Sequence, residues 1–152
     1  MENEISRIAR SMEKSFNKGA WYGPSAMDIL STISAEHSGH RVGPSHSIIE
    51  LVLHMVSWRT FAAKRLAGDN TFQVAEDANF PKPGTWDEAM KKLKQSQEEL
   101  MAAVNTFPES RLGELVPAAS HKYTFYTMLT GSLQHDIYHL GQIQLIRKSL
   151  GN

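Results

Sequence analysis

The chain has no cysteine. Disulfide bridges, thiolate-held metals and a cysteine nucleophile are therefore excluded, and any transition-metal site must be built from imidazole and carboxylate. Neither sign of charge is in excess: Lys plus Arg number 16 and Asp plus Glu number 16. A protein whose main partner is DNA or RNA needs a basic face to neutralise phosphates, so this balance argues against one. Long apolar runs are also missing. The longest, Ile48 to Val56, is far too short to span a bilayer, and no Lys/Arg cluster suggests a membrane-surface anchor. The stretch from Met1 to Phe16 has neither the basic start nor the apolar centre of a signal peptide, so a cytoplasmic protein is expected. No internal repeat or low-complexity tract occurs. What remains, 152 residues of ordinary composition, suffices for a single domain over 1–152 with a sizeable core.

What the chain does have is helical periodicity. From about residue 2 to 17, Ile5, Ile8, Met12 and Phe16 recur at helical spacing, with Gly19 just beyond. A short helix over about 25–34 opens at Gly23-Pro24-Ser25, where Ser25 and Asp28 resemble a capping pair. After Pro44, Ser47 and Glu50 form a capping box, and the apolar residues that follow, Ile48 to Val56, leave no clean polar face. A helix apolar all round is buried on several sides, and Gly68 is expected to end this one. Thr85 and Glu88 open a fourth helix with a stripe of Trp86, Met90, Leu93, Leu100 and Val104 before Pro108. The fifth runs from about Thr124 to Leu150. Four longer helices and one short one pack naturally as an all-α four-helix bundle. The long connections leave the up-down order open.

Of seven histidines, the informative pair is in His135-Asp136-Ile137-Tyr138-His139. Residues four apart share a helix face, so two such imidazoles can reach one metal ion. Their stripe also carries Met128, Ser132, Gln142 and Ile146, polar in the middle and apolar at the ends. His54 lies within the most apolar segment, where a titratable ring must find an internal partner. Spacing alone leaves two readings open: a metal site, or a chance surface pair together with a hydrogen-bonded core histidine. His37, His40 and His46 fall in or beside a Ser- and Gly-rich loop and His121 precedes the last helix; exposure is expected for all four. The H-E-x-x-H pattern of zinc proteases is absent, because Asp136 follows His135. The Glu-x-x-His pairs of di-iron bundles are also missing.

Three pieces of sequence, taken together, resemble the DinB superfamily of DinB/YfiT-like metalloenzymes: Trp21-Tyr22-Gly23-Pro24-Ser25, His46 to His54 followed by Trp58, and His135 to Ile143. The resemblance covers nearly the whole chain. It implies an up-down-down-up four-helix bundle and a metal site formed by His54, His135 and His139. It also implies a homodimer, and relatives that are transferases and isomerases using low-molecular-weight thiols such as bacillithiol and mycothiol. The family name does not imply DNA binding.

Three imidazoles leave a coordination position open, as in catalytic zinc. The expected function is that of a divalent-metal enzyme, a thiol-dependent transferase or a hydrolase acting on a small molecule; the alternative is a non-catalytic stress-response protein binding a metal or small ligand. Imidazole suits zinc, nickel and iron alike. A ligand histidine usually donates its other nitrogen to a carboxylate or carbonyl, which makes Glu50 and Asp136 candidates, against a helix cap for Glu50 and a surface charge for Asp136. Tyr138 and Gln142 are candidates to touch substrate, and Trp58 to wall the pocket or to lie in the core.

Overall fold

A computed structural model describes residues 2–151. Its long helices are α1 (Glu4–Phe16), α4 (Ile48–Leu66), α6 (Trp86–Thr106) and α7 (Phe125–Ser149). Short helices α2 (Ala26–Leu30), α3 (Ala35–Ser38) and α5 (Glu76–Asn79) lie between them, and a 3-10 turn spans Glu109–Arg111. α1, α4, α6 and α7 pack as a four-helix bundle in which α4 is central, meeting α6 most extensively and α7 next.

The local chemistry explains the helix starts. Ser25 with Asp28, Ser47 with Glu50, and Thr85 with Glu88 all form reciprocal capping boxes, so each helix begins at the expected residue. α4 ends in a Schellman turn: Gly68, at φ 88°, lets its N–H reach the Arg65 carbonyl while the Asp69 N–H reaches that of Lys64. α4 buries residues on nearly every side, among them Ile48, Val52 and Met55, as expected of a helix with no polar face.

The short helix expected over 25–34 ends early, and a further turn that the sequence pattern does not mark follows it. α2 stops at Leu30, and Ser34 then accepts from the His37 N–H to cap α3 as a separate turn. α5 rises from the connection between α4 and α6, which the sequence pattern leaves as loop. Among the described residues, the extended pairing is one isolated bridge, Leu115 to Thr124. Two apolar clusters fill the bundle. One is centred on Ile48, Leu93 and Ile143, the other on Leu100, Val104 and Leu129. His54 and His139 are buried beside the first. Among the described residues no helix is long and apolar enough to cross a membrane.

Candidate metal centre

α4 and α7 face one another so that His54 meets His135 and His139. The His54 Nε2 lies 3.0 Å from His135 Nε2, which lies 3.1 Å from His139 Nε2. All three ligand atoms fall within 4.8 Å of one another, a grouping able to hold a metal ion. His54 and His139 are buried and His135 is half-buried.

The outer nitrogens fix how the rings present themselves. His54 Nδ1–H donates to the Asn79 backbone carbonyl at 2.6 Å, an atom that can only accept. His139 Nδ1–H donates to Gln142 Oε1 at 2.6 Å, from one turn further along α7. Both rings therefore turn a bare Nε2 lone pair inward. A neutral His135 can supply a proton to only one of them. A cation satisfies all three, and tetrahedral zinc at its usual bond length needs nitrogens about 3.3 Å apart, close to the observed 3.0 and 3.1 Å. The donor set thus fits a divalent ion of the zinc, nickel or iron kind.

A family model described as the DinB superfamily matches residues 25–143, well over half of the chain. The chain belongs to the DinB superfamily. The crystal structure of the DinB-like protein YjoA from Bacillus subtilis is similar, with a TM-score of 0.69 at 20% identity over 96% of this chain and 92% of that one. No curated protein matches. In this DinB-superfamily chain the short helix α5 is part of the site. Trp58 Nε1–H donates to Asn79 Oδ1 at 2.8 Å, and the Ser57 hydroxyl donates to the Ala78 carbonyl at 2.7 Å, so α4 grips the same turn that orients His54. Phe80 stacks on His54 with centroids 4.2 Å apart, and His46 stacks on the other side of Phe80 at 3.6 Å. Asn79 and Phe80 have no signature in the sequence: one acts through its backbone, and the other reads as a loop hydrophobe.

The remaining candidates separate. Gln142 stands directly behind His139. Trp58 lines a cavity of about 530 Å³ that opens onto His54 and His135. Tyr138 and Gln142 line a second, of about 410 Å³, on the His139 side, together with His46. Glu50 is occupied elsewhere: its carboxylate closes the α4 capping box with Ser47 and pairs with Arg41 at 2.9 Å. Asp136 is a core residue, not a surface charge. It forms a buried ion pair at 2.7 Å with Arg59, whose Nη1 also donates to Gln97 Oε1 at 2.5 Å. Gln97 in turn donates to Glu13, so this polar chain touches all four long helices. His121, expected to be exposed, is so, but it also lines the larger cavity.

Burial holds the His135 pKa down to about 4, helped by the charges of His139, His54 and Arg59. Burial lowers that of His54 as well. The His54 and His135 rings are therefore neutral, and free to ligate, at neutral pH. The sign of the stability effect follows. Between about pH 6.5 and 4 the unfolded chain binds protons that the folded chain refuses, so stability is complete above that window and falls as pH drops through it. In metal-free protein, urea denaturation at pH 7.5, 6 and 5 should show a midpoint that declines as pH falls, with the unfolding free energy dropping by on the order of 2 kcal/mol in total. A midpoint that is flat or rises on acidification contradicts the neutral cluster.

Proposed function

We propose that this protein is a metal-dependent enzyme. On this reading it activates a small nucleophile, a water or a low-molecular-weight thiol, at the three-histidine centre and joins it to an electrophilic small molecule, as a transferase or a hydrolase. The observation that carries the reading is the convergence of the His54, His135 and His139 Nε2 atoms, two of whose rings, His54 and His135, line an open cavity. A divalent cation bound there supplies Lewis acidity, which favours the deprotonated form of a water or thiol beside it. The chain's own residues do the rest. Asn79 and Gln142 hold the ligand rings in one tautomer and orientation. Phe80 covers one face of His54 and limits the approach of water from that side. The cavity volume suits a small molecule.

The test begins with elemental analysis of untagged protein beside His54→Ala. About one metal ion per chain is expected in the parent and little in the variant. Metal-loaded parent is then assayed for thiol consumption across a panel of electrophiles and for hydrolysis of esters and amides. Turnover that disappears in His54→Ala supports the enzyme. Bound metal with no turnover on the whole panel favours a non-catalytic binding protein, and absence of metal after reconstitution removes both.

A further inference from the structure

The cavity that opens onto His54 and His135 has an unusual wall. Among the described residues lining it there is no Asp, Glu, Lys or Arg. Trp58, Phe61, Ala62, Met128 and Tyr123 form its sides. Besides His54 and His135, its polar groups are uncharged hydroxyls, an amide and one further imidazole, from Asn79, Ser120, His121, Tyr123, Thr127 and Ser132. A ligand that buries a charge in such a place loses its hydration and gains no counter-charge. An apolar ring loses nothing comparable, and gains by contact with indole and phenyl faces.

Gly131 adds an independent observation. It sits inside α7, where glycine is a poorer helix former than alanine. It precedes His135 by one turn and so shares its face. A Cβ built there meets nothing within 4 Å. Helix packing therefore does not demand a glycine at this position. Gly131 lines the cavity, and the missing side chain leaves room in it beside the ligand His135.

We infer that the molecule bound in this cavity is uncharged along its body, apolar and large enough to carry an aromatic ring, and that it presents one polar group to the three-histidine centre. The inference rests on the metal reading above and adds the substrate class to it. A co-substrate bearing several carboxylates finds no counter-charge on these walls.

Hydroxamates test it, because the head group binds divalent metals and the body can be varied. Zinc-loaded protein is titrated with benzohydroxamates carrying a para methyl, carboxylate or aminomethyl group, and with acetohydroxamate, which is the head alone. The para-methyl compound is expected to bind at least about tenfold more tightly than either charged one. Gly131→Leu should keep its zinc and its affinity for acetohydroxamate but lose at least about tenfold for the para-methyl compound. Zinc content and thermal unfolding of the variant show that it is folded and loaded. Equal affinity for the three para-substituted compounds, or an unchanged titration in Gly131→Leu, overturns the inference and leaves the metal reading standing. Failure of acetohydroxamate and all the others to bind to protein of confirmed zinc content shows that the loaded centre has no open position, and overturns the enzyme reading and the inference with it.

Discussion

Arg59→Met is expected to destabilise the fold by about 3–5 kcal/mol, measured by urea denaturation. Arg59 and Asp136 are both buried and pair at 2.7 Å. Burial pushes the Asp136 carboxyl above its usual range, and Arg59 is the main opposing influence. Asp136 Oδ1 and Arg59 Nε already lack a hydrogen-bond partner among the described residues, so the pair has no spare contacts with which to absorb the loss of one member. Removing Arg59 strands a buried carboxylate and also leaves Gln97 Oε1 without its donor. Removing both charges is a different matter, because neither then needs solvating. The double variant Arg59→Met with Asp136→Leu should recover most of the stability lost in the single one. A double variant whose loss equals the sum of the two single losses would show that the pair is not coupled.

His139→Ala is expected to weaken zinc binding by more than about 100-fold, the upper end of what losing only an outer hydrogen bond to a ligand costs. Gln142→Leu should fall inside that outer range, about 10- to 100-fold, because His139 keeps its place but loses the acceptor on Nδ1. Glu50→Ala provides the contrast. Its carboxylate serves the capping box and Arg41, so it should cost about 1 kcal/mol of stability with little change in zinc affinity. Competition against a chromophoric chelator reads all three. If Glu50→Ala weakened zinc as much as Gln142→Leu does, Glu50 would be supporting the ligands as well as the helix start, and Gln142 would hold no special place behind His139.

Much of the bundle and its centre is legible in the sequence. Capping boxes and periodic stripes mark the long helices because both signals are local. The four-residue helices α3 and α5 have too few turns to show a period: α3 follows the Ser34 cap beyond the stretch read as α2, and α5 has no side-chain cap at all. The clustered histidines are visible through two features. One is the spacing of His135 and His139; the other is the improbability of His54 inside an apolar helix. Their supports divide by chemistry. Gln142 lies on the ligand stripe, so periodicity alone points to it. The acceptor for His54 is a backbone carbonyl 25 residues away, and any residue type would offer one. Arg59 gives a fair signal, a full charge in the most apolar helix, but its partner emerges only when α4 and α7 are brought together.

The connection from Asp69 to Phe80 is, by location, the kind of surface segment that ordinarily absorbs insertions and sequence drift. In this chain it is tethered at both ends. The Asp69 carboxylate gathers the Thr71 and Phe72 amides, while Asn79 and Phe80 hold one imidazole by its nitrogen and by its face. Lengthening this segment by a residue or two would alter no ligand, yet it would release the His54 ring to turn about its own axis. Relatives that differ along this stretch would then differ in metal grip while keeping an identical histidine triad, so a tally of matching histidines would overstate how alike their centres are.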